Sequence, residues 1–473
     1  MMRNNLLRII VLIVCLSVTV FMLSASVTEI KEHKRSETKE IYVSSIGECQ
    51  NETDEDDNFE IPFHAEGIYG MGINVVMRGI DLSSLKQVNT RYIIRYDFNL
   101  NKNTWEVPEN SILVFEGGSI RNGIIVGNNT TIVNNNHTIF SLDIFLKGSF
   151  TNDYLTPDMF GVDNADSGPY INKAIKESEN IGKGTKLLNK EYQLSTPIFF
   201  QRNTTLYSDC GSVLVYSGKD YCLNVVSPDG KTHMYPTVRN ITLRGNGKNN
   251  GIDIQKSRKG GLFEDISLQG FNIAVKHSDA NPDNQSWLTT FNRLIFRNNK
   301  VGISLLNNSN GVHIQNSFFI NGEEAIKIYF CSNVSISKCE IENHTRIPIQ
   351  IERGHNIIIE DNYFENNATK SNPSAVVYIP YNTECLGVKI ESNYFNITST
   401  QYGILVKSKM VHMLSVISNV FYSSNKDRIN LYVDKVSDNH IVIGNYSTVN
   451  NNVFKDVSPS ALCRWGNVDF TKK

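Results

Sequence analysis

Proline and tryptophan are scarce in this chain, at 12 and 3 of 473 residues, and neither sign of charge is in excess: 46 Lys and Arg face 48 Asp and Glu, a formal net charge of -2. A near-neutral chain has no electrostatic reach for polyanions, which argues against nucleic acid as a partner. The eight cysteines, at positions 15, 49, 210, 222, 331, 339, 385 and 463, form no CxxC pair and no Cys/His metal spacing. Cys210 with Cys222 and Cys331 with Cys339 read either as disulfides of an exported protein or as isolated buried thiols. No phosphate-binding glycine loop closed by Lys-Ser/Thr, no HExxH helix and no GxSxG elbow is present, so those three site types have no footing. Mean hydropathy of -0.26 excludes a multispan membrane protein, while 40% hydrophobic and 10% aromatic residues exclude wholesale disorder. Asparagine is what the chain has in abundance. More than fifty, beside 31 glycines, predict many turns closed by side-chain amides rather than by proline.

Arg3 and Arg8 precede an apolar run that ends near Leu23-Ser-Ala25. Residues 1–25 therefore read as a signal peptide or an uncleaved membrane anchor, with export to a secreted, periplasmic or cell-surface location. Residues 26–60 carry Lys31-Glu-His-Lys-Arg35 and Glu52-Thr-Asp-Glu-Asp-Asp57, blocks of opposite charge suited to a flexible tether. Residues 61–155 are a β-rich leading module, and 156–473 a repeat region.

From about residue 240 one pattern recurs. Its turn-proximal apolar positions are Leu243, Leu268, Phe296, Phe319, Ile341, Phe364, Phe395 and Phe421, separated by 22 to 31 residues. A second run alternates strictly, as in Gly251-Ile-Asp-Ile254, Gly302-Ile-Ser-Leu305 and Gly403-Ile-Leu-Val406. Period 2 makes these strands, and the short connections exclude helical crossovers. The period fits three strands plus turns, which predicts an all-β right-handed single-stranded parallel β-helix with a short amino-terminal capping helix. Phe319, Phe364, Phe395 and Phe421 then stack inside, and the Asn, Asp or Ser positions before them continue hydrogen bonding through the turns. Ile171, Ala174 and Ile175 share one face of the helix expected after Ser167.

The segment Phe160-Gly-Val-Asp163, the helix after it, Glu191-Tyr-Gln-Leu194 and Asn203-Thr-Thr-Leu206 resemble the amino-terminal part of the pectate-lyase-like superfamily. That group holds polysaccharide lyases, glycoside hydrolases and phage tailspikes, and the later repeats extend the resemblance to most residues after 155. Ser167-Gly-Pro-Tyr170 stands where the superfamily's Asp-Asp-Thr segment is expected. Val107-Pro-Glu-Asn-Ser111 and Phe115-Glu-Gly-Gly-Ser119 resemble secreted β-helix proteins of gut Bacteroidetes. The resemblance implies action on, or binding of, polysaccharide; it does not fix the chemistry.

With the alternating isoleucines inward, the middle of the outward face gathers Lys327, Tyr329, Gln350, Glu352 and Tyr378, with Arg353 at the adjoining turn. Glu352 is the general acid/base candidate, tuned by Lys327 one coil away. Lys327 or Tyr378 is expected to abstract the substrate proton, Tyr378 alternatively to stack, and Arg353 to grip a substrate carboxylate. Gln350, Tyr329, Lys407, Lys276 and His277 complete the expected saccharide contacts. Calcium is the one cofactor weighed, through Asp279 and Asp283, although neither lies in an EF-hand pattern. The mixed cationic and aromatic face favours β-elimination on an acidic glycan; hydrolysis by paired carboxylates, and a non-catalytic carbohydrate-binding or structural role, are the alternatives. Polysaccharide or oligosaccharide is the expected partner, with membrane attachment through the amino terminus and homo-oligomerisation both compatible with the sequence.

Overall fold

The computed structural model describes residues 71–135, 137–200, 202–226, 235–279, 281–434, 440–448, 454–456, 461–463 and 468–469. The expected signal segment and tether lie outside them. Among the described residues no helix is long and apolar enough to cross a membrane.

From residue 184 onward the strands repeat in threes and each pairs in parallel with its counterpart one coil later. The result is an all-β right-handed parallel β-solenoid, about 14 turns in all. Its three sheets are followed through one coil: Ile349–Glu360 supplies the first and second, and Tyr363–Glu365 the third. Registers reproduce the aligned repeat. Leu243 pairs with Leu268, Leu268 with Phe296, Phe296 with Phe319, Phe319 with Ile341, Ile341 with Phe364, Phe364 with Phe395, and Phe395 with Phe421. The rings stack nearly parallel, with centroids 4.4 Å apart for Phe296 and Phe319 and 4.8 Å for Phe364–Phe395 and Phe395–Phe421. The core thus repeats at the inter-strand spacing.

Asparagine makes the corner between the second and third sheets. Asn316, Lys338, Asp361, Ser392 and Ser418 adopt φ of 52 to 56°, which turns the chain sharply. The next side chain then points inward, so Asn362, Asn393, Asn419 and Asn445 stack as a buried ladder. Asn393 Nδ2 donates to Ile359 O at 2.9 Å and to Asn419 Oδ1 at 3.0 Å, while its Oδ1 accepts from the backbone and side-chain nitrogens of Asn362, both at 3.0 Å. Each amide replaces partners that the backbone loses at the bend. In the first sheet the glycine of Gly-Ile-Ser-Leu is dictated by space: a Cβ on Gly302 would lie 2.5 Å from Ala325 O of the next coil.

Residues 72–150 are also parallel coils: Gly72–Val75, Thr90–Ile94, Ile112–Phe115 and Gly123–Asn134 pair in succession. Between them and the longer solenoid lies helix α1, Gly168–Ile181. Asp166 accepts hydrogen bonds from the Gly168, Ser195 and Thr196 amides at 3.0, 3.0 and 3.2 Å, and so ties the helix start to the first full coil. Gly182, at φ 68°, closes its other end in the left-handed conformation. The helix caps an open core as expected, but it covers two: Ile171 and Ile175 join the long solenoid, whereas Ala174 joins the leading coils. The expected single apolar face is therefore split. Glu177, fully buried, accepts from Leu146 N at 2.7 Å and pairs with Lys173 at 2.7 Å.

The cysteine alternative resolves toward thiols. Cys222, Cys331, Cys339 and Cys385 are buried and reduced, and neither sequence pair is bridged. Burial pushes the Cys331 and Cys339 thiols up to about 12.

Candidate functional site

One outward column runs along the first sheet, in register from coil to coil: Asn224, Asp253, Lys276, Ser304, Lys327, Gln350, Tyr378, Leu405 and Tyr432. At its middle a cleft of about 410 Å³ opens against the longer turn Ser371-Asn-Pro-Ser374, lined by Glu324, Arg346, Gln350, Lys370 and Tyr378 among others. Of the residues expected from sequence, Gln350 and Tyr378 line it directly. Lys327 reaches it through Glu324, with which it pairs at 2.5 Å.

Glu324 was not foreseen. It is 5% exposed, and its second oxygen lies 3.3 Å from Arg346 Nε, so one buried carboxylate holds two cations at the cleft wall. Arg346 and Lys370 project from turns of the coil and are themselves exposed. Burial, and then the neighbouring Tyr381, push the Tyr378 phenol above its ordinary value against the opposing pull of Lys407. Tyr378 is thus built to donate a hydrogen bond or a proton at neutral pH.

Glu352 departs from the expected arrangement. Ile328 pairs with Ile351 but Tyr329 pairs with Arg353, which leaves Glu352 as the extra residue of a bulge. Lys327 therefore sits opposite Gln350 and pairs with Glu324, not with Glu352. Glu352 instead accepts from Gln350 Nε2 at 2.7 Å and so orients an amide of the cleft. Arg353 packs 4.2 Å over Phe330 and pairs with Glu384 at 2.9 Å, and Tyr329 is exposed beside it. Lys407 lies beyond Tyr378, 4.4 Å over Tyr432 and 3.9 Å from Asp434.

Lys276 lies at the other end of the column, 3.0 Å from Asp253 and 4.8 Å over Tyr221. His277 faces inward. It is fully buried, its ring nitrogens lie 2.8 Å from Ser309 Oγ and 2.9 Å from Thr289 Oγ1, and burial holds it down at about 3. A saccharide outside the solenoid does not reach it, so the expected contact is replaced by a core role. The Asp279 carboxylate orders its own turn, accepting from Asn281 N at 2.8 Å and Asn284 Nδ2 at 2.7 Å. Among the described residues no three acidic, His or Cys side chains converge as metal ligands.

A second chemically distinctive face lies on the third sheet. Glu340 and Glu342 flank the inward Ile341, and Glu342 pairs across the coil with Glu365. Burial, a hydrogen bond with Glu340 and the charges of Glu340 and Glu365 push the Glu342 carboxyl up to about 7. Glu365 accepts from Tyr363 Oη at 2.8 Å and Asn396 Nδ2 at 3.1 Å. Tyr363 and Tyr394 stack at 5.4 Å, so their edges and hydroxyls, not their faces, are presented outward.

The sequence family described as right handed beta helix region matches residues 225–456. No curated protein matches the chain. Among solved structures, PfbA, a surface adhesin of Streptococcus pneumoniae, is similar at 13% identity and a TM-score of 0.43, over 65% of this chain and 93% of that one. The catalytic domain of a GH87 alpha-1,3-glucanase in complex with tetrasaccharides has 14% identity and a TM-score of 0.39, over 67% and 68%. The A-module of the mannuronan C-5 epimerase AlgE6 of Azotobacter vinelandii has 13% identity and a TM-score of 0.35, over 68% and 100%. At such identities the likeness is one of fold. The register of the sheets makes the fold a right-handed parallel β-helix, and the family match falls within it, over residues 225–456.

Proposed function

We propose that the protein is an exported glycan-active β-helix that binds an acidic polysaccharide along the first sheet and cleaves it by β-elimination in the Tyr378 cleft. The observation that carries this reading is the pairing, in one cleft, of the exposed cations Arg346 and Lys370 with a phenol held in its protonated form. Arg346 pairs with the uronate carboxylate and stabilises the charge that develops when the adjacent C–H is lost. Lys370, which has no carboxylate partner among the described residues, takes the C5 proton as the neutral amine, after its ammonium has given a proton to solvent. Tyr378 returns a proton to the leaving O4 as the C4–O bond breaks and the C4=C5 bond forms. Gln350, oriented by Glu352, hydrogen-bonds the sugar; Lys327 supports the positive field from the wall. Tyr329, Arg353, Lys407 and Lys276 extend the binding track along the helix axis.

The test is incubation of protein lacking residues 1–25 with acidic and neutral polysaccharides, with and without calcium, and mass spectrometry of the products. Unsaturated oligosaccharides are expected, and Tyr378→Phe and Arg346→Ala should each lower kcat/KM by about 10²-fold or more. New reducing ends without unsaturation would overturn elimination and turn attention to the third sheet. There Glu342, protonated near neutrality, supplies an acid and Glu365 a second carboxylate for hydrolysis. Binding with every substrate left intact would leave a non-catalytic carbohydrate-binding β-helix.

A further inference from the structure

Glu324 opens the strand Glu324–Ser337 with the parity of the inward Ile326 and Ile328, and it pairs with Val301 of the preceding coil. Alternation therefore sends a carboxylate to the core side, where it is nearly out of solvent yet still lines the first-sheet cleft. A charge in that position is kept ionised by cations, and two are supplied: Lys327 Nζ at 2.5 Å and Arg346 Nε at 3.3 Å. Glu323, the residue before it, stands 3.9 Å from Arg346 Nη1 on the exposed side. Glu352 adds a third carboxylate behind Gln350. Lys327 is thus committed within the wall, and the Nε edge of Arg346 is taken. What remains to receive an anion is Lys370 and the terminal nitrogens of Arg346, with two carboxylates beside the latter.

We propose, on the reading of this cleft as a uronate site, that Glu324 determines its specificity and restricts it to uronates that carry no sulfate. One planar carboxylate needs a guanidinium end and an ammonium, and both are present. A sulfate ester on the same sugar brings a second permanent negative charge, for which no uncommitted cation is left, into the neighbourhood of Glu323, Glu324 and Glu352. Of these three, Glu324 acts most strongly, because it is the one withdrawn from solvent screening. Without its charge, Lys327 and the whole of Arg346 would be open to the second anion.

Calorimetric titration of the full chain carrying Tyr378→Phe, which keeps the ligands intact, tests the assignment. The probes are oligomers of one length in pairs that differ in sulfate: chondroitin with chondroitin 6-sulfate, and polygalacturonate and alginate each with its sulfate ester. The unsulfated member of at least one pair is expected to bind about 10-fold more tightly or better. Glu324→Gln should bring the two members to within about 3-fold, by strengthening the sulfated one. Where Glu324→Gln does not fold, Glu323→Gln on the exposed side should narrow the ratio in the same direction. Equal binding of both members by the parent, a ratio unmoved in the variant that folds, or weakening of both members alike would each overturn the role of Glu324. Absence of binding by either member of every pair would remove the uronate reading and the role of Glu324 together, so the two failures are told apart.

Discussion

Single side chains on this solenoid are governed by which way their strand alternates and by what the next coil places beside them. Glu342 shows the effect on a proton. Its carboxyl is raised to about 7 by burial, by Glu340 and by Glu365, so the folded state binds a proton that the unfolded chain releases near 4.5. The stabilisation it contributes is complete below about pH 4.5 and is lost as pH rises through about 7. Because the group is half-exposed, solvent screening keeps the effect to about 1 kcal/mol, roughly 2 °C in Tm. Glu342→Gln should flatten the thermal-stability profile between pH 5 and 7, as scanning calorimetry at fixed ionic strength would show; a profile as steep as the parent's would remove Glu342 as its source. The residues around the aligned apolar column made this pair readable, since Glu340 and Glu342 flank Ile341 and Glu365 follows Phe364. His277 was readable too. It has the same parity as Val275 and pairs with Leu305, so it belongs to the inward set. Glu352 was not, because a one-residue bulge leaves no mark in an alternating pattern and moves the side chain out of the column.

At the level of coils and corners, regular features were legible and irregular ones were not. Every pairing of the Leu/Phe/Ile column follows from spacing alone, because stacked identical positions bury the same side chain repeatedly. Arg346 and Lys370 come from turns of differing length, where no periodicity constrains direction, and so the cleft they form was invisible in the sequence. The asparagine corner is the element on which stability is most exposed to a single change. Asn393→Ala removes hydrogen bonds to Ile359, Asn362 and Asn419 and leaves buried donors and acceptors without partners. A loss of about 3 kcal/mol is expected, read as a lower urea midpoint. Were the midpoint unchanged, the ladder would be an ornament of the bend rather than its support.

For the whole molecule, the decisive piece is α1, because it closes the leading coils on one side and the long solenoid on the other. Its buried Glu177 accepts from Leu146 of the leading coils and pairs with Lys173 of the same helix, so one carboxylate ties the shared helix to the leading coils. Glu177→Ala, which leaves Lys173 buried without its partner, should destabilise both sets of coils together by about 3 kcal/mol. Loss of structure in only one of them by hydrogen exchange would contradict the sharing. The same arrangement has a mechanical meaning. Pulled from its ends, a parallel solenoid gives way one coil at a time, each rupture releasing 22 to 31 residues. When such peeling arrives at α1 from either direction it meets a seam that belongs to both stacks. A force trace should therefore show a regular sawtooth interrupted by one taller peak, and the contour length released before that peak would tell from which end the tear had come.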